Sequence, residues 1–125
     1  MPIRPARQAD QPAIRRIIRQ AGINPFGIDW PRFVVAEENG QIVGVGQIKP
    51  HGDGSRELAS LAVIPERQGA GIGTAVVRAL LAGENGPLYL MCARRMEAYY
   101  QRFGFRRIPP AEMPSYFRRM HRIAN

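Results

Sequence analysis

Cysteine, histidine and long apolar runs are all scarce in this chain of 125 residues. The single cysteine, Cys92, excludes an internal disulfide, and two histidines far apart exclude the common Cys/His zinc cages, so we expect no metal. No apolar run approaches the roughly 20 residues that a membrane helix needs, and the first residues lack the apolar stretch of a secretory signal. These absences predict a protein of the reducing cytoplasm that does not enter a membrane.

Lysine is almost missing too, although the formal net charge is +8. Apart from Lys49, every basic residue is arginine. Arginine grips phosphate with a planar fork, so the charge indicates a phosphate-bearing ligand or a polyanionic partner, unless it reflects only genome composition. The longest basic run is two residues, whereas nucleic-acid patches often reach about 5–8. A nucleic-acid-binding module is therefore the less favoured interpretation.

The length and the 45% of hydrophobic residues predict a single domain over residues 1–125 with one core. Apolar periodicity and turn residues predict the order β-α-β-β-β-α-β-α-β-β, which is a mixed α/β sheet. Asn39-Gly40 lies between two β-rich runs and predicts a hairpin with a type I′ turn. The predicted strands are 3–7, 32–38, 41–49, 57–64, 88–92, 105–108 and 116–123, and the predicted helices are 10–21, 72–80 and 96–103.

A glycine-rich turn, Gln68–Thr74, follows a predicted buried strand and opens a helix. Backbone N–H groups can converge there, and the helix N-terminus adds partial positive charge, so the turn can hold an anion such as a pyrophosphate. Glycines in such a turn can also serve only to pack the helix against the strand. The absence of a nearby lysine excludes a P-loop, and the Gly-x-Gly-x-Gly spacing departs from the dinucleotide fingerprint.

Two motifs together resemble the GNAT superfamily of N-acetyltransferases. Arg67–Gly73 is similar to that family's acyl-CoA-binding loop, Gln/Arg-x-x-Gly-x-Gly, and Tyr99–Phe105 is similar to its closing helix, which ends in Gly-Phe. The resemblance covers nearly the whole chain. It implies a GNAT-like fold, with the second helix reduced to the loop 22–32, and an N-acetyltransferase that uses acetyl-CoA and no metal.

The resemblance also implies where acetyl-CoA would bind. The two central strands, 58–64 and 88–92, would splay apart and admit the pantetheine arm. Main-chain groups of Leu61, Ala62 and Val63 would pair with that arm and bind the thioester oxygen. The residues implied at the pyrophosphate are those of the turn and its flanks: Arg67, Gln68, Gly69, Ala70, Gly71, Ile72, Gly73 and Thr74. Many relatives carry a basic residue where this chain has Ala70.

Catalytic roles follow from the same resemblance. Tyr100 matches the general acid that protonates the leaving thiolate, although at helical spacing it is also a good core aromatic. Glu57 occupies the place of a general base in many relatives; a solvated strand-end carboxylate is the alternative reading, and a water chain is the alternative base. Phe26 and Trp30 border the expected acceptor pocket, or else cover the sheet.

Several expectations concern partners and the remaining reactive side chains. The acceptor would be a small-molecule or peptide amine, and a homodimer is a candidate assembly because relatives commonly form one. The alternative functions are an acyl-CoA-binding sensor without turnover and, less favoured, the basic nucleic-acid-binding domain. We expect Cys92 to be a packed thiol, and His51 and His121 to lie on the surface.

Overall fold

A four-stranded antiparallel sheet in the order β1-β2-β3-β4 forms the centre of the protein. The computed structural model describes residues 2–124. The strands are β1 (Ile3–Pro5), β2 (Phe33–Glu38), β3 (Gln41–Pro50) and β4 (Arg56–Val63). Asn39 and Gly40 have φ values of 51° and 76°, which confirms the predicted type I′ turn between β2 and β3.

Four α-helices flank the sheet: α1 (Gln11–Ala21), α2 (Ile72–Ala82), α3 (Glu97–Gln101) and α4 (Ser115–Ala124). Pro12 fits the first turn of α1, and Gly22 ends the helix in the left-handed conformation. The buried apolar stripes of α1 and α2 are Ile14, Ile17, Ile18, Ile72, Val76, Val77 and Leu80. Between α1 and β2 the chain has a single 3-10 turn, Trp30–Arg32, in place of a second helix.

A β-bulge bends β4 in its second half. Val45 pairs with Ala62 but Gln47 pairs with Ala59, so Ser60 and Leu61 together face one residue of β3. Ser60 has a φ of 58°, a left-handed conformation that is uncommon outside glycine. Such a bulge increases the local twist and turns the end of the strand away from its former direction.

The prediction of a strand over residues 88–92 is wrong. This segment forms only a single parallel bridge, between Glu57 and Tyr89. At this bridge the Leu58 N–H donates to the Tyr89 carbonyl at 2.9 Å, and the Tyr89 N–H donates to the Arg56 carbonyl at 3.0 Å. The bulge begins only three residues after the bridge, which explains why the two segments do not continue as a ladder. Past it, no described strand lies beside the outer edge of β4.

The predictions of strands over residues 105–108 and 116–123 are also wrong, whereas the predicted mixed α/β class is confirmed. Residues 105–108 form no described strand and lie between Gly104, which has a φ of 95°, and Pro109. Residues 116–123 lie inside α4. Met113, Phe117 and Met120 recur at i, i+4 and i+7, which is a helical period that the strand prediction overlooked.

Helix α2 packs against β3 at two glycines, Gly44 and Gly46. A Cβ added at Gly46 would stand 2.8 Å from Val76 Cγ1 and 3.1 Å from Leu80 Cδ1. We therefore expect Gly46→Ala to lower the free energy of unfolding by about 1–3 kcal/mol, because the β-branched valine cannot move away cheaply. Gly52→Ala is the control, since its Cβ would meet nothing within 4 Å, and should change stability by less than about 0.5 kcal/mol. Urea denaturation of the three proteins measures the difference, and equal midpoints would contradict the tight packing.

Candidate active site

The glycine turn has an open face. Gly69 and Gly71 adopt left-handed φ values of 82° and 84°, and a Cβ at either position would meet no atom within 4 Å. Gly71 is the N-cap of α2, so the turn passes directly into a helix N-terminus. Two left-handed glycines and an uncapped first turn leave main-chain N–H groups for an anion at the positive end of the helix dipole.

The unpaired edge of β4 leads into this turn. Leu61, Ala62 and Val63 come after the bridge to Tyr89, and the turn begins five residues beyond Val63 at Gln68. Gln68 Nε2 donates to the Val63 carbonyl at 3.2 Å and so fastens the turn to the end of the strand. An extended ligand with amide groups and a terminal anion therefore has a main-chain edge to pair with and an anion site at its end.

Two of the residues expected at the pyrophosphate have further roles in the fold. Arg67 forms a two-pronged ion pair with Glu38, Nε to Oε1 at 2.8 Å and Nη2 to Oε2 at 2.9 Å, and Glu38 raises the pKa of this guanidinium. The side chain of Ile72 is only 2% exposed and belongs to the core, so only its main chain is available to a ligand. The structure thus attaches Arg67 to the β2-β3 hairpin.

Two adjacent tyrosines of α3 occupy different environments. The hydroxyl groups of Tyr99 and Thr74 share a hydrogen bond of 2.9 Å, which ties α3 to the first turn of α2. Tyr100 packs edge-on against Tyr99 and Phe105. Burial, together with the charges of Tyr99 and Cys92, raises the pKa of Tyr100 to about 12. At neutral pH the Tyr100 hydroxyl therefore keeps its proton.

Cys92 is exposed, so the expectation of a packed thiol is wrong. It lies in the segment that was predicted as a buried strand, and the loss of that strand leaves it at the surface. Partial desolvation of the thiol and the charge of Glu97 raise its pKa, which disfavours the reactive thiolate.

Glu57 is buried beside a histidine. Only 6% of Glu57 is exposed, and its Oε1 lies 2.7 Å from His51 Nε2. The ring of Tyr116 stacks on the His51 ring with centroids 3.5 Å apart. The expectation that His51 lies on the surface is therefore wrong, whereas His121 is exposed. The sequence carried a signal for this pair, because the β3-β4 hairpin pairs Lys49 with Glu57 and brings His51 close behind.

Asp53 connects the β3-β4 turn to α4. Its Oδ1 accepts hydrogen bonds from the Ser55 N–H and hydroxyl, and its Oδ2 accepts one from the Tyr116 N–H at 2.8 Å. The hydroxyl of Ser115 also donates to Oδ2. These donors hold the pKa of the Asp53 carboxyl well below its usual range. The carboxylate acts as an N-cap for α4 from a distant part of the chain, and it fixes Tyr116 over His51.

The loop 22–32 is fastened over the face of the sheet that carries Glu57. Gln47 is fully buried, and its Nε2 donates to the Gly27 carbonyl at 2.9 Å and to Ser60 Oγ at 2.8 Å. Lys49 Nζ donates to the Phe26 carbonyl at 3.1 Å. Since Lys49 is paired with Glu57 across the β3-β4 ladder, loop and carboxylate share one side of the sheet. Sequence reasoning missed Gln47, whose polar side chain lies in an otherwise apolar strand.

The two aromatic residues of this loop differ in exposure. Phe26 is 77% exposed and lies at the outer rim, whereas Trp30 is partly buried against the core. The Trp30 N–H donates to Gln11 Oε1 at 2.7 Å, which fixes this end of the loop on α1. Both residues therefore lie in the loop beside the Glu57 face, but only the Trp30 side chain packs against the core.

Among residues 2–124, no group of three or more His, Cys, Asp or Glu side chains is arranged to hold a metal ion. A search of the described helices finds none long and apolar enough to cross a membrane.

Comparison with known families and sequences gives a consistent result. The family model described as "Acetyltransferase (GNAT) domain" matches residues 29–107. A mycothiol acetyltransferase of Nocardia farcinica is 46% identical over 52 residues, which are 41% of this chain and 17% of that protein. The chain thus corresponds to a small part of this relative.

Solved structures share the fold. The protein Rv2747 of Mycobacterium tuberculosis, in complex with CoA, superposes with a TM-score of 0.76 at 26% identity, over 87% of this chain and 74% of that one. An N-acetylglutamate synthase of Neisseria gonorrhoeae, complexed with coenzyme A and N-acetyl-glutamate, gives a TM-score of 0.82 at 22% identity. That superposition covers 99% of this chain and 32% of the synthase.

Proposed function

Since this chain belongs to the GNAT acetyltransferase family, we propose that it transfers the acetyl group of acetyl-CoA directly to a primary amine, as a single domain over residues 1–125. The observation that carries the proposal is the pair of left-handed, open-faced glycines, Gly69 and Gly71, at the N-terminus of α2 and at the end of an unpaired strand edge. A pyrophosphate on the turn and a pantetheine arm along β4 fit this arrangement.

The glycine turn would bind the pyrophosphate through the main chain of Gln68–Thr74, with Arg67 attaching the turn to β2. The main chain of Leu61, Ala62 and Val63 would pair with the pantetheine arm. In this position an N–H group of β4 also points at the thioester oxygen and stabilises the oxyanion that forms on attack. The bulge at Ser60 supports this role, because it turns the β4 edge out of the sheet ladder.

Two side chains would move protons. A primary amine has a pKa of about 10.4 and must lose a proton before it attacks, and in this proposal Glu57 receives it. The departing thiolate has a pKa of about 8.5, and Tyr100 would donate to it. The amine nitrogen forms its bond to the carbonyl carbon and the C–S bond then breaks, so no acyl-enzyme is needed, in keeping with the raised pKa of Cys92.

The acceptor would approach between the loop 22–32 and the Glu57 face. Trp30, which packs against the core, would form the inner wall of this entrance, and the exposed Phe26 its outer rim. The proposed acceptor is a small-molecule or peptide amine. We propose the cytoplasm as the compartment and a homodimer as the candidate assembly.

Binding of acetyl-CoA should raise the Tm. At 100 times its Kd it adds about 2.7 kcal/mol to the stability, which is roughly 10 °C for a domain of this size. Acetyl-pantetheine, which lacks the pyrophosphate, should give a much smaller shift at the same concentration, because it leaves the glycine turn empty. Equal shifts would contradict the pyrophosphate site, and no shift with saturating acetyl-CoA would overturn the cofactor assignment.

Turnover is then tested with a panel of amino acids, aminoglycosides, polyamines and peptide amines, with release of free CoA thiol as the readout. Thiol release that depends on the amine supports the transferase. A Tm shift without thiol release from any amine would instead support the acyl-CoA sensor.

A further inference from the structure

The ion pair of Glu57 is the least expected feature of the site. A carboxylate that is only 6% exposed is costly to keep ionised unless a donor compensates for the lost water. Within residues 2–124, the side chain that bonds this carboxylate is His51, through Nε2 at 2.7 Å. Both side chains are below 10% exposure, at 9% for His51 and 8% for Glu57. The state of the carboxylate therefore depends on this imidazole.

His51 is in turn fixed from several directions. Tyr116 stacks on its ring, and Phe117 meets the ring edge-on with centroids 5.7 Å apart. The main-chain N–H of His51 donates to the Ser55 carbonyl at 2.9 Å, which closes the β3-β4 turn and fixes the backbone that carries the ring. Asp53 accepts from the main-chain N–H of Tyr116, which fixes the backbone position from which the stacked ring extends. The imidazole thus has one preferred orientation, toward Glu57.

We propose that His51 is the positioning residue of the proton acceptor: it keeps the buried Glu57 carboxylate ionised and oriented, and it carries the proton onward. This inference rests on the proposed acetyltransferase function. Glu57 takes the first proton of the substrate ammonium, and the free amine then attacks the thioester carbonyl carbon. The C–S bond breaks, and the sulfur takes the proton of the Tyr100 hydroxyl. Tyr100 then takes a proton from the nitrogen of the new amide and so regains its starting state. The proton on Glu57 leaves through His51 to water.

Other charged and titratable groups face the pair. Lys49 lies opposite Glu57 on β3, with its ammonium on the Phe26 carbonyl. Tyr116 of α4 has a raised pKa because it is desolvated and near the Glu57 charge, so it stays neutral. Both carboxylate oxygens of Asp53 accept hydrogen bonds, which lower its pKa, so Asp53 stays ionised below neutral pH. Tyr89 packs on Phe117 at the edge of the cluster. Among the described side chains around the pair, the one in hydrogen-bond contact with Glu57 and able to exchange a proton with it is His51.

The first test is the pH profile of kcat/KM for wild type, His51→Gln and the control His121→Gln. Glutamine retains a hydrogen-bond donor but cannot accept the proton or carry charge. We expect His51→Gln to move the acid limb to higher pH, because the buried carboxylate loses the imidazole that favours its ionised form. We also expect kcat to fall about tenfold at neutral pH, because the proton loses its route through the imidazole to water. His121→Gln should match wild type. A merely structural role would lower activity with the acid limb unmoved, and that result overturns the proposal.

The second test needs no turnover and so separates this inference from the proposed function. Proton NMR titration follows the ring signals of the two histidines, assigned by the signal that His121→Gln loses. If Glu57 is ionised and coupled to His51, Glu57→Gln should move the pH midpoint of the His51 ring signals to lower pH and leave that of His121 unchanged. An unchanged His51 titration would refute the coupling, even in a protein that transfers no acetyl group. The titration also decides the matter if His51→Gln fails to fold.

Discussion

Replacing Tyr100 with phenylalanine should lower kcat by about 10²-fold and change the Kd of acetyl-CoA by less than about twofold. The variant keeps the ring that packs on Tyr99 and Phe105, and it removes only the hydroxyl. The pKa of Tyr100, about 12, lies well above that of a thiol, so Tyr100 is a weak acid for this step, and we expect a loss of kcat at the lower end of the range for general acids. Stopped-flow or steady-state thiol release measures kcat, and calorimetry measures Kd.

Tyr99→Phe is the matched control, because it removes a hydroxyl from the same pair of rings. That hydroxyl bonds Thr74 at the start of α2, so its loss should weaken acetyl-CoA binding a few-fold and leave kcat nearly unchanged. Wild-type kcat should also show no alkaline decline from Tyr100 below about pH 11, since a group with a raised pKa keeps its proton until the pH approaches that value. If Tyr100→Phe has wild-type kcat, Tyr100 is a core aromatic and no acid.

The parts of the fold with strong local signals were predictable. Asn39-Gly40 specifies its turn because both residues must take positive φ, and Gly69 and Gly71 mark the main-chain anion site for the same reason. Helices α1 and α2 follow from periodic apolar residues bounded by Pro12, Gly22 and the glycine turn. These features depend on a few neighbouring residues, so they can be read without tertiary contacts.

The features that were missed depend on contacts between distant residues. The bulge at Ser60 is set by the register of β3 against β4, and it removes the ladder that residues 88–92 would have joined. Helix α4 begins where Asp53, more than 60 positions earlier in the chain, caps Tyr116. The same contact buries His51 against Glu57. The segment 116–123 mixes apolar side chains with three arginines and a histidine, so its local signal is ambiguous, and here the distant cap decides for the helix.

Ion pairs account for part of the arginine excess. Arg4, Arg56 and Arg67 pair with Asp10, Glu84 and Glu38, respectively. These pairs fasten β1, β4 and the glycine turn to neighbouring elements. An anionic ligand would therefore meet main-chain N–H groups at the turn more than arginine side chains. This favours a site of defined shape over a general polyanion surface.

Gly71→Glu should abolish measurable acetyl-CoA binding, raising the Kd more than about 100-fold. The new side chain would occupy the open face of the turn, and its carboxylate would stand where the pyrophosphate charge is expected. It would also satisfy the helix N-terminus in place of the ligand, since an acidic side chain is favoured there. Calorimetric titration with acetyl-CoA gives the Kd, and circular dichroism verifies the fold.

Two controls separate charge from backbone strain. Gly71→Ala imposes the same left-handed strain at a φ of 84° without the carboxylate, and it should bind acetyl-CoA no more than about tenfold more weakly. Gly86→Glu adds the same charge at a position with open space around the Cβ and no positive φ, and it should bind like wild type. If Gly71→Ala and Gly71→Glu lost binding equally, the conformation of the turn would matter and the anion at its face would not. A Gly71→Glu protein that still bound acetyl-CoA tightly would show that the pyrophosphate lies elsewhere.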